Sequence, residues 1–197
     1  MLNIHDVADY IIVRTNEVGF TLVIPFLQKL LYYCQANYLG LYHKPLFNGK
    51  FKARVFGPLN EEVASRFFVN YAYVELISKN FKIELIPEES RNFINQILEN
   101  YCKFSDSQLI DIVRSEKPWK EARKGYHSSG LCDVEIDEEL MRKQFSDSVL
   151  PINQIDYYMR RGESNLCSAL MKCAEDLEKD GLQIYYGWRI GELLKEA

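Results

Sequence analysis

Pro25-Phe-Leu-Gln-Lys-Leu-Leu-Tyr-Tyr-Cys-Gln-Ala-Asn-Tyr-Leu39 is the stretch whose reading decides the fold. A proline is best tolerated in the first turn of a helix, where its missing N–H loses no hydrogen bond, so a helix is predicted to begin near Pro25. Leu27, Leu30, Leu31, Tyr33, Cys34, Tyr38 and Leu39 make it apolar on most of its circumference. A helix of that kind is enclosed by others, which predicts a mainly α fold: a compact helical domain around a central apolar helix, with a small two-stranded β element. Gln28, Lys29, Gln35 and Asn37 are its only strongly polar positions.

Outward from that helix, Ile4, Val7, Ala8, Ile11 and Ile12 fall on one face of an earlier helix that Asn3 can cap and Glu17-Val-Gly19 ends. His43-Lys-Pro-Leu-Phe-Asn-Gly49 carries turn signals. Phe51-Lys-Ala-Arg-Val-Phe56 alternates apolar and basic as a one-sided strand does, with Gly57-Pro58 as its stop. Phe81-Lys-Ile-Glu-Leu85 alternates in the same way and is the expected partner strand. Asn60-Glu-Glu62, Pro87 and Ser105-Asp-Ser-Gln108 read as helix starts, the last as a capping box. Pro118-Trp119 closes the helix from Ser105 and begins a short one. Gly125 to Gly130 reads as a linker, and the acidic run Asp133 to Glu139 as a solvated helix N-terminus. Helical patterns continue past Pro151 through Leu166, Leu170, Cys173 and Leu177 to a segment with Trp188.

Composition narrows the function classes. Apolar residues at 47% set disorder aside. The formal charge of -4 argues against a nucleic-acid ligand, which usually needs a concentrated excess of Lys and Arg. No stretch approaches a membrane span, and the start of the chain lacks the pattern of a secretory signal. Five scattered cysteines without a Cys-x-x-Cys pair fit reduced thiols, hence a cytoplasmic location. Thirteen tyrosines suit either a half-buried binding surface or the margin of a core.

Chemistry-bearing constellations are missing from the sequence. His5, His43 and His127 share no metal-ligand spacing, and the proximity of His127 to Cys132 lacks an orienting third group. The acidic run lacks the glycine and closing glutamate of a calcium loop. No enzyme, cofactor or metal site is therefore expected. Lys50, Lys52 and Arg54 would share one face of the strand, to meet an acidic partner or a phosphate backbone, or to guard the strand against aggregation.

Leu27-Gln-Lys-Leu-Leu-Tyr-Tyr33 with Gln35, Lys44-Pro-Leu-Phe47, Phe56-Gly-Pro58, Tyr101 to Ser105 and Glu116-Lys-Pro-Trp119 stand in an order that resembles the Panacea antitoxin family, which takes in SocA-like and phage-associated GepA-like proteins. The similarity runs from about Ile4 to Arg123. Arg54 stands where the family carries an aromatic residue, Arg114 where it often has histidine, and Val23-Ile24 where it has Thr-Pro. The resemblance implies a Panacea-like helical domain over 1–124, and the helical patterns beyond the linker lead us to expect a helical C-terminal extension over 125–197 packed on it. It implies an antitoxin that binds a cognate toxin encoded beside it, with proteolytic adaptors that deliver the toxin to an ATP-dependent protease among the members. A DNA-binding autoregulator and a prophage counter-defence protein are the other classes, and a homodimer is compatible with each.

The candidate partner-binding residues are Gln28, Lys29, Tyr32, Tyr33, Gln35, Lys52 and Arg54. Gln28, Lys29 and Gln35 either form a buried hydrogen-bond network or face the partner. Tyr32 and Tyr33 are adjacent and point about 100° apart, so one is expected inside and the other at an interface. Gly57 and Pro58 are expected to fix a turn between strand and helix, Pro118 to start a helix, and Trp119 to sit in the core.

Overall fold

The computed structural model describes residues 1–20, 22–68 and 81–147. Among them the fold is mainly α: helices α1 (Ile4–Glu17), α2 (Ile24–Tyr42), α3 (Glu61–Phe68), α4 (Glu88–Tyr101), α5 (Asp106–Ser115), α6 (Lys117–Ala122) and α7 (Glu138–Asp147), with four short strands β1 (Leu2–Asn3), β2 (Phe47–Asn48), β3 (Lys52–Arg54) and β4 (Gly57–Leu59). The helices expected past Pro151 lie outside the described residues.

The start signals act as their chemistry requires. The Asn3 side chain accepts the His5 N–H at the head of α1. Pro25 sits in the first turn of α2, and His43 closes that helix in the left-handed region with φ 54. Asn60 caps α3 by accepting from Val63 N–H at 2.9 Å, and Ser105 with Gln108 forms the capping box of α5. Gly19, at φ 76, carries the chain out of α1 in a conformation that side chains resist.

Helix α2 is the centre. Its contacts extend to α1, α3, α4, α5, α7 and β4, and Leu27, Leu30, Leu31 and Cys34 are completely buried. Helix α7 packs against it, with Met141 and Phe145 joining the same core. The approach is close: a Cβ on Gly40 would stand 2.5 Å from the Phe145 carbonyl carbon.

The strands differ from expectation. β3 pairs antiparallel with β4, not with 81–85, where Ile83–Leu85 forms a 3₁₀ turn. Gly57 and Pro58 therefore lie inside a strand, and the turn is at Val55-Phe56. Gly57 takes φ 111 just after that turn, a value that lets a two-residue loop close where a side chain would be strained. Residues 47–48, expected within a turn, form β2, which pairs parallel with β1 and ties the start of the chain to the core. The acidic run is not all helical: Ile136 N–H bonds Phe51 C=O at 2.7 Å and Ala53 N–H bonds Val134 C=O at 3.0 Å, so 134–136 lies extended along β3 and α7 begins only at Glu138.

Gly40→Ala is expected to lower stability by about 1–3 kcal/mol, because the added methyl must push α7 off α2; urea unfolding of the two proteins measures it.

Candidate functional site

Every polar side chain that the sequence singled out on α2 turns inward. Gln28 presents its amide to the backbone of Asn60, accepting from its N–H at 2.8 Å and donating to its C=O at 3.2 Å. Gln35 does the same for the 46–47 segment, accepting from Leu46 and Phe47 N–H and donating to Phe47 C=O at 3.1 Å. Lys29 is fully buried, and its ammonium donates to Pro25 C=O at 3.1 Å and to Asp106 at 2.8 Å. Gly57 lies over the Lys29 stem, where a Cβ would come 3.4 Å from Lys29 Cε. The structure thus takes the hydrogen-bond-network reading of Gln28, Lys29 and Gln35, and none of the three offers surface to a partner.

Tyr32 and Tyr33 are both fully buried, against the expectation that one would reach an interface. Glu116, at the α5–α6 junction, makes this possible. Tyr32 OH donates to its Oε2 at 3.1 Å and Tyr33 OH to its Oε1 at 3.0 Å. Tyr101 stacks on Tyr33 at 3.8 Å, and Asn37 reaches the Tyr101 hydroxyl at 3.3 Å. Burial raises the Glu116 carboxyl to about 7, although the hydrogen bonds from Tyr33 and Tyr32 pull it back. Burial also raises both phenols, with the Glu116 charge adding to it. Burial lowers the Lys29 ammonium, opposed by the Asp106 charge.

At the surface, Lys52 and Arg54 do share a face, but their charges are met within the chain. Lys52 pairs with Glu61 at 2.7 Å, and Arg54 with Asp133 at 2.6 Å and Glu61 at 3.2 Å. Lys50 pairs with Glu135 at 3.0 Å. Beside them opens a polar cleft of about 310 Å³ between Lys50, Lys52, Glu61, Glu62 and Glu135. Phe56, at the β3–β4 turn, is 70% exposed.

Pro118 opens α6, and Trp119 is core, with the guanidinium groups of Arg123 and Arg114 over its ring at 5.0 and 6.0 Å. Arg123 is itself buried and donates to the carbonyls of Ala53, His127 and Gly130, holding the 127–130 loop against β3. His127 bonds Ser129, while Cys132 is buried with its thiol toward Ala122 C=O, so the two do not meet. Among the described residues, no three His, Cys, Asp or Glu side chains are placed to hold a metal ion, and no helix is long and apolar enough to cross a membrane.

Residues 27–120 match the model of the family described as "Antitoxin SocA-like, Panacea domain". This segment is similar to a SocA-like Panacea domain. Antitoxin SocA of Caulobacter vibrioides (strain NA1000 / CB15N) is 28% identical over 141 residues, covering 64% of this chain and 75% of the relative. No solved structure gives a significant match. The matched residues take in α2 from Leu27 onward, the β3–β4 hairpin and the Glu116 junction. The quoted blocks meet in the interior: the Tyr-Tyr pair of α2 bonds the Glu of Glu116-Lys-Pro-Trp119, and the Gly of Phe56-Gly-Pro58 lies over Lys29.

Sequence reading missed the roles of Glu116, Asp106 and Arg123, and the contact of Gln28 with the backbone of Asn60. A signal existed for Glu116, since a block ending in two core residues, Pro118 and Trp119, begins with a carboxylate that needs buried donors. Asp133 and Glu135 alternate with Val134 and Ile136, a strand pattern hidden by the acidic run.

A carboxyl raised from 4.5 to about 7 binds its proton more tightly in the folded chain than in the unfolded one. Its contribution to stability is complete below about pH 4.5 and is lost as pH rises to about 7, by about 3 kcal/mol in all. Thermal melts from pH 5 to 8 should show this loss, and Glu116→Gln should remove most of it. A residual slope of the same sign is expected from Asp9, whose carboxyl burial also raises.

Lys29→Met should change stability by less than about 1 kcal/mol, since a matching apolar stem replaces a desolvated cation and Asp106 keeps access to water. Asp106→Asn, which strands the buried ammonium, should cost about 2 kcal/mol. Chemical denaturation of both variants compares them.

Proposed function

We propose that this chain is a cytoplasmic antitoxin that neutralises a cognate toxin by direct protein–protein binding. The Panacea domain match over residues 27–120 carries the reading, supported by the similarity to a relative named for antitoxin activity. The geometry is compatible with a shared scaffold serving a changeable partner. The motif residues of α2 are spent on the interior, so recognition falls to the surface around the β3–β4 hairpin, where Lys52, Arg54 and Phe56 stand.

A phosphate backbone is the weaker ligand for that surface. Lys50, Lys52 and Arg54 are each matched to a carboxylate, so no excess positive charge is left to displace counterions. A protein partner needs no such excess and can use the exposed aromatic as an anchor.

Co-expression with the product of the adjacent reading frame tests the proposal, scored by growth and by co-purification. Growth rescue with a stable complex is the expected outcome. Rescue with disappearance of the neighbour's protein would assign delivery to an ATP-dependent protease in place of simple occlusion. A neighbour that is neither toxic nor bound would refute the antitoxin reading for that pair.

A further inference from the structure

We propose that the open strand edge at Asp133–Glu135 accepts an extended, basic segment of the partner protein as an added strand; this deepens the toxin-binding reading and rests on it. The edge follows from the bridge geometry. Glu135 stands opposite Lys52, with hydrogen bonds from Ile136 N–H to Phe51 C=O and from Ala53 N–H to Val134 C=O on either side. In an antiparallel pair of this kind the Glu135 N–H and C=O point away from β3. Among the described residues no hydrogen bond uses them. An unpaired donor and acceptor on the rim of a sheet are what a partner strand completes.

The charge on this rim selects the occupant. Asp133 and Glu135 side chains are 67% and 52% exposed, and the cations they meet, Arg54 and Lys50, come from the β3 side. From the open side the rim is therefore acidic. The adjoining cleft adds Glu61 and Glu62, leaving its carboxylates in excess over Lys50 and Lys52. A second copy of the chain is a poor occupant: antiparallel self-pairing about Val134 would set Asp133 against Glu135, and pairing about either acid would set it against itself. Like charges directly opposite in a sheet are destabilising. A segment with Lys or Arg at alternate positions has the opposite sign at the same spacing. Leu131, 74% exposed, and Phe56 lie at the same end of the sheet and supply apolar contact beyond the charged stretch.

The test uses the full chain and the protein encoded by the adjacent reading frame. Amide hydrogen exchange is measured with and without that protein, and binding is compared for Glu135→Ala, which keeps the backbone N–H, and Glu135→Pro, which removes it. The expected result is a Glu135 amide that exchanges freely alone and is protected in the complex, with Glu135→Pro binding about tenfold more weakly than Glu135→Ala. Exchange in the wild-type complex does not depend on whether the proline variant folds. A complex that forms while the Glu135 amide exchanges as in the free chain would overturn the edge proposal and leave toxin binding intact. Failure to form any complex would overturn both.

Discussion

The two phenols that converge on Glu116 hold the rest of the structure in place. Successive residues of a helix point in directions about 100° apart, so a helix can hide two adjacent tyrosines only if it is surrounded and if both hydroxyls find acceptors. A carboxylate has two oxygens, and here each serves one phenol. The enclosure is completed by Phe145 of α7, whose ring lies 6.3 Å from Tyr32 and 6.1 Å from Tyr33, and by the Tyr101 ring stacked on Tyr33. Helices α2, α4, α7 and the α5–α6 junction therefore meet around one acid. The arrangement carries a cost, visible in the raised carboxyl of Glu116, and that cost is bearable because the acid can take up a proton near neutrality and keep its place.

A second rule runs through the interior: buried side chains stand in for missing secondary structure. The strands are two or three residues long, and the connections beside them contain buried positions such as Leu46, Phe51 and Asn60. Backbone groups in such connections must still be paired. Gln28 serves Asn60, Gln35 serves 46–47, Arg114 donates to Val55 C=O, and Arg123 gathers the carbonyls of Ala53, His127 and Gly130. A glutamine amide has the same donor and acceptor as a peptide group, which is why two glutamines on the most apolar helix are structural components. Replacing them with leucine would preserve hydrophobicity and orphan the loops.

The parts legible in sequence are those set by local rules. Helix starts at Asn3, Pro25, Asn60 and Ser105 follow from caps and proline geometry within a few residues, and all are present. Periodicity placed Leu27, Leu30 and Leu31 in the core. What escaped depends on long-range pairing. The partner of β3 is the next strand, across a turn closed by the backbone of Gly57, while Phe81 to Leu85 has equal alternation and no place in a sheet. The burial of Tyr33 depends on Glu116, 83 residues away in sequence, and no local pattern announces it. The basic row was legible as a row, yet its neutralisation by Asp133 and Glu135 was not, because their acidity outweighed their strand-like alternation.

This division between interior and surface bears on how one scaffold can meet different partners. The α2 residues that carry the Panacea resemblance fix how this helix is enclosed, and changing them would disturb the helices packed around it. The surface of the β3–β4 hairpin is under no such restriction. Its ion pairs join exposed or half-exposed groups, which contribute little to stability and tolerate exchange. Charges there can be reversed or removed with small cost to the fold, while Arg123 and Arg114 hold the backbone of β3 and its turn through the carbonyls of Ala53 and Val55. A rigid main-chain edge with replaceable side chains separates affinity from specificity: hydrogen bonds of the edge are the same for any extended segment, and the flanking charges choose among segments.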